Sequence, residues 1–188
     1  MIVQRLPLQL GKQLAEPFRK RINRAPSPFL AYCVPWLSVM LGSLSPHWPL
    51  IASAPIVPPM GLLILLGWMQ LRRGLLPIWV GLPLGAFDDL FSGQPFGSAI
   101  LAWSLAMIVL DVIEGRFPWR HFLFDWWVGA LIVTAVLVLA WGLANIGGGS
   151  TDMLVIVPQI ALSACLIPLT GLLVSLLDRF RLLPIKSV

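Results

Sequence analysis

Apolar residues in this chain gather into long blocks separated by short polar or basic punctuation. Six blocks stand out, at positions 29–44, 60–71, 75–91, 95–113, 122–144 and 153–177. Most are too long for the core helices of a soluble domain, and the pattern predicts membrane-crossing α-helices, which need roughly 20 apolar residues each. Between the first two blocks runs SPHWPLIASAPIVPP, with prolines at 46, 49, 55, 58 and 59. It cannot be one regular helix, because each proline removes a donor and fixes φ. Pro58 or Pro59 is suited to open the second helix, whose first turn has no use for the missing N–H. That helix is short, so either the proline-rich piece enters the membrane level sheltered by neighbours or the bilayer thins around it. Pro83 and Pro168 fall inside the third and sixth blocks and predict kinks, whose freed carbonyls need a neighbouring helix or the nearby Thr170.

Composition agrees with this reading. The chain is 58% hydrophobic and 11% charged, where a soluble domain carries about 25% charged residues. The predicted fold class is therefore all-α, a polytopic integral membrane protein of about six transmembrane helices. The net charge of +5 does not point to nucleic acid, because Lys and Arg lie between the apolar blocks rather than on a folded basic face. If the N-terminus is cytoplasmic and the chain crosses six times, all 13 Lys and Arg residues fall on the inner side, as the positive-inside rule requires. Both termini are then cytoplasmic. The expected organisation is a basic tail at 1–27, a six-helix domain at 28–183 and a short cytoplasmic end at 184–188. The start of the chain is too long and too polar for the first part of a cleavable signal. In the tail Leu6, Leu10, Leu14, Phe18 and Ile22 recur every four residues around basic positions that include Arg19, Lys20, Arg21 and Arg24. An amphipathic helix on anionic lipid and a disordered tail that only sets topology both fit. Cys33 and Cys165 sit singly in apolar segments, without metal or disulfide spacing, and read as packing residues. Tryptophans 36, 48, 68, 79, 119, 126, 127 and 141 lie near predicted span ends, as in an aromatic belt, and Trp103 lies deeper.

Candidate chemistry concentrates in GLPLGAFDDLFSGQPFG, positions 81–97, where Asp88 and Asp89 interrupt an apolar run. Asp88 lies 15 residues beyond Arg73, roughly 22 Å along a helix, in the outer part of the bilayer. At the C-terminal end of the third helix the macrodipole disfavours both carboxylates, so they need partners elsewhere. Ser92, Gly93 and Gln94 form a tight turn, Pro95 suits the first position of the fourth helix, and the N–H groups of Phe96, Gly97 and Ser98 form an anion-attracting helix start. Asp89 is close enough to fold over that turn and lock the two helices. Gly81 and Gly85 share its helical face and admit a close backbone. A structural clasp, a partner-protein or lipid contact, and chemistry are the three readings, with chemistry least favoured. A prenyl-type DDxxD metal site would need an acid where Ser92 stands, and His47 and His121 both lie in loops. No cofactor or metal motif is present. Asp111, Glu114, Asp125 and Asp178 read as interfacial anchors or local ion pairs, with Arg116 beside the first two and Arg179 beside the last.

The run LLILLGW followed by RRGLLPIWVGLPLGAFDDLFSGQPFGSAILAWSLAMIV resembles the rod shape-determining protein MreD family. Asp89, Leu90, Ser92, Gly93 and Gly97 match its core motif, Gly81 or Gly85 supplies the leading glycine, and Asp88 stands where that family usually has an apolar residue. The resemblance implies a non-enzymatic scaffold of the bacterial cell-wall elongation complex in the inner membrane. Its implied partners are MreC, the MreB filament, RodA and its transpeptidase partner, besides membrane lipid. It also implies a bundle similar to the S components of energy-coupling-factor transporters. That likeness defines the alternative, a vitamin-binding transporter subunit.

Overall fold

The computed structural model describes residues 24–25, 28–47, 57–93, 95–117, 121–148, 152–182 and 186–187. Arg19, Lys20 and Arg21, the amphipathic tail and most of the proline-rich piece lie outside the described residues. Among the described residues six α-helices carry the fold: α1 Pro28–Ser43, α2 Met60–Leu71, α3 Gly81–Ser92, α4 Ser98–Arg116, α5 Phe122–Ile146 and α6 Val157–Arg181. The only strands among the described residues are two-residue pieces, β1 Arg24–Ala25 and β2 Lys186–Ser187, paired antiparallel. Ser98–Arg116, Phe122–Ile146 and Met153–Arg181 are long and apolar enough to cross a membrane, while Phe29–Ser43 and Met60–Leu71 are apolar but shorter. Leu131, Leu169, Leu172 and Leu176 of α5 and α6 are exposed on the outside of the bundle, an apolar exterior suited to lipid.

The helices pack as a ring around one of their number. Contacts run α1 to α3, α3 to α4, α4 to α5, α5 to α6 and α6 back to α1, and α2 inside the ring touches α1, α4, α5 and α6. Residues Gly61 to Met69 of α2 are all buried. A helix that is apolar on every face belongs in such a position. Trp68 is fully buried there and donates its indole N–H to Ser38 Oγ of α1 at 2.9 Å, so it is a core residue and not part of an aromatic belt. Trp103 is buried as well, its ring against Gly61.

Where helices begin and end differs from the sequence pattern for local reasons. The fourth helix starts at Ser98, after Gly97 at φ +99°, so Pro95 precedes the helix instead of opening it. The third starts at Gly81 after a short 3-10 turn, Ile78–Val80. Pro83 therefore sits in the first turn, where its missing N–H costs nothing, and the expected kink has no cause. Pro35 and Pro168 are the prolines inside helices. Each leaves the carbonyl four residues earlier without its helical donor, and each orphan is met by another helix. Ala164 O, freed by Pro168, accepts from Trp126 Nε1 of α5 at 2.9 Å. Ala31 O, freed by Pro35, accepts from Arg181 Nη1 of α6 at 3.0 Å. Thr170 instead bonds Ile167 O. Cys33 is half-buried, and Cys165 is exposed on the apolar exterior rather than packed inside.

Candidate functional site

Asp89 is 5% exposed and projects from α3 across the turn onto the start of α4. Its Oδ2 accepts from Gly97 N at 2.8 Å and Ile100 N at 3.3 Å. Its Oδ1 accepts from Ala99 N at 2.8 Å and from Ser98 Oγ at 3.2 Å. Ser98 N donates to Pro95 O at 3.0 Å. The first turn of α4 is thereby satisfied down to its third residue. Gly97 occupies the N-cap position, where Asp, Asn or Ser would ordinarily supply the capping oxygen. Its φ of +99° disfavours those side chains, so the preceding helix supplies the cap. Of the donors expected from sequence, Gly97 N is used. Ala99 and Ile100 replace Phe96 and Ser98 as the other backbone donors, because the helix begins three residues later than Pro95.

The other motif residues serve the same hairpin. Gly93, at φ +69°, ends α3 in the left-handed conformation that favours glycine. A Cβ on Gly85 would lie 2.7 Å from Ile100 Cα, and one on Gly81 would lie 3.0 Å from Ser104 Cα. The face carrying Gly81, Gly85 and Asp89 thus puts α3 backbone against α4 backbone. Ser92 Oγ is buried and makes no hydrogen bond. Asp88 takes no part in the clasp. It is half-buried and turns towards α1, facing the Ser43 hydroxyl without closing a hydrogen bond of ordinary length and angle. His47 stacks edge-on against Phe91 nearby, at 5.8 Å. Among the described residues no group of His, Cys, Asp and Glu could hold a metal ion.

The protein-family models, the curated proteins and the solved structures hold no match to this chain.

The opposite end of the bundle is held by charge. Arg72, which caps α2, donates from Nε and Nη2 to Asp178 Oδ2 of α6 at 3.0 and 2.8 Å. Arg181 approaches Asp178 Oδ1 at 3.1 Å, and its guanidinium lies over the Trp68 ring, 5.5 Å from the centroid. Both Asp178 and Arg181 are buried. Arg73 reaches Glu114 at 3.9 Å, tying the α2–α3 connection to α4. The partners of Asp178 are therefore Arg72 and Arg181, not its neighbour Arg179, and Arg73 pairs with Glu114. Asp125 offers its backbone carbonyl to Gln70 Nε2 at 3.0 Å. Trp126, expected at a membrane interface, has the structural task already described. The Arg181 bond to Ala31 and the Trp126 bond to Ala164 are, with the Arg72–Asp178 and Arg73–Glu114 pairs, structural contacts that sequence reasoning misses. The prolines that create both orphans are visible in the chain, but the donors that answer them are distant in it.

Proposed function

We propose that this chain is a non-enzymatic membrane scaffold of the bacterial cell-wall elongation complex, similar to MreD. It crosses the inner membrane six times with both termini in the cytoplasm. The observation that carries the reading is the use made of the motif. Gly81, Gly85, Asp89, Gly93 and Gly97 are each consumed in building one rigid hairpin, as befits a structural signature. The orientation draws support from the described Lys and Arg residues, which gather at the end of the bundle where α2, α4 and α6 finish. With that end cytoplasmic, the charges obey the positive-inside rule.

In this role the hairpin presents a fixed surface in the outer leaflet to MreC. The basic end faces the MreB filament, and RodA with its transpeptidase partner completes the assembly. Depleting the protein from a rod-shaped host tests the proposal. Cells should widen and round, and MreC should co-purify with the tagged chain from membranes. Unchanged cell width on full depletion would refute it. The vitamin-carrier alternative predicts a saturable small molecule that raises the melting temperature, which the same purified protein can be screened for.

A further inference from the structure

A groove of about 260 Å³ runs between α2, α5 and α6, and its lining includes Leu63, Gly67, Trp126, Gly129, Ile167 and Gly171. Glycines hollow it out, since a Cβ on Gly171 would meet nothing within 4 Å. The Trp126 bond to Ala164 holds its wall at the Pro168 break. At the basic end of the bundle the groove finishes at Leu71, Phe122 and Ser175. Three features of one sign lie just beyond. Arg72 follows Leu71 directly. Arg179 stands one turn past Ser175 on the same face of α6, exposed and without an ion pair among the described residues. The first turn of α5 opens there after His121, whose side chain makes no cap bond, leaving its leading N–H groups as donors at the positive end of the helix dipole. Arg72 is committed to Asp178, so Arg179 and the α5 start are the groups available to a ligand. Asp125, an acid in the lining, belongs to the same first turn of α5, one position past the leading N–H groups of Phe122, Leu123 and Phe124.

An apolar channel that ends in positive charge complements an amphiphile with one hydrocarbon chain and an anionic head. We propose that this groove seats an acyl chain of an anionic phospholipid from the leaflet on the basic side, its phosphate held by Arg179 and the first turn of α5. The inference rests on the membrane location in the proposed function and not on the elongation role. Detergent-dependent extraction tests that location separately.

The full chain, purified in detergent, is examined by native mass spectrometry and thermal unfolding. The added probes are phosphatidylglycerol, phosphatidylcholine with identical chains, or inorganic phosphate. Phosphatidylglycerol should be retained at least fivefold better than phosphatidylcholine and should raise the melting temperature, while phosphate alone should not. Gly171→Leu places its Cβ in open space, extends its side chain into the groove and suits a helix better than glycine, so it should fold and lose the retained lipid. Ser175→Leu is a second block at the groove mouth, should Gly171→Leu fail to fold. Arg179→Gln should keep the chain bound but equalise the two lipids. Equal retention of both lipids by the wild type would overturn the proposal, as would undiminished phosphatidylglycerol retention in a folded groove-filling variant. Protection by phosphate alone would reduce the site to an anion contact and overturn the acyl-chain seat.

Discussion

Asp89 caps a helix to which it does not belong, and its two oxygens divide the work. Donors face both of them. An asparagine in its place would therefore turn its NH₂ against N–H groups whichever way the amide lies. Asp89→Asn should cost about 2–3 kcal/mol, the penalty for leaving buried donors unmet. Asp88→Asn should stay within about 1 kcal/mol, as for substitutions outside a bonded network. Thermal unfolding in detergent compares the two, and equal losses would mean that Asp88 carries part of the clasp. The carboxylate and its target turn are both legible in the sequence, because eleven residues or fewer separate Asp89 from every donor. The identity of the donors is not legible. It depends on where α4 starts, and the φ of Gly97 decides that.

At the scale of elements, the apolar blocks mark the six described helices; glycine or proline sets the later starts of α3 and α4, while α4 and α6 run on past their blocks into charged positions, to Arg116 and Arg181. What the pattern cannot assign is which proline matters. Pro83 looks internal to its block yet falls in a first turn, whereas Pro35 and Pro168 truly interrupt helices. In lipid no water can repair an interrupted ladder, so each break requires a donor from outside. Trp126→Phe removes one such donor and should cost about 1–2 kcal/mol. In a Pro168→Ala background the restored N–H can take Ala164 O, and the same change should cost about 1 kcal/mol less. A double-mutant cycle measured by unfolding reads this coupling directly. Independent, additive effects would remove Trp126 from the account of the break.

For the whole molecule, the ring and its central helix are held together by contacts the sequence does not announce. Arg72 and Asp178 are 106 residues apart and Arg181 and Ala31 are 150 apart, and each of these side chains reads locally as an ordinary flank of a membrane span. Arg181 is the most committed of them. It joins α6 to α1 through Ala31 O, neutralises Asp178 and covers Trp68. Arg181→Ala should cost about 3–5 kcal/mol, as when one partner of a buried pair is removed. Arg116→Ala, at an exposed position of the same sign, should stay within about 0.5 kcal/mol. Unfolding of the two purified variants side by side makes the comparison, and similar losses would show that net charge rather than placement stabilises this end.

The central position of α2 also sets a timetable for biosynthesis. Among the described helices the second in chain order is the one the others enclose, and its wall is finished by the sixth, since Arg72 waits for Asp178 and Gly67 for Val174. The nascent chain must therefore keep an unfinished cage open on one side until its final segment is released. Cells that make a chain shortened before α6 would inherit that open side permanently.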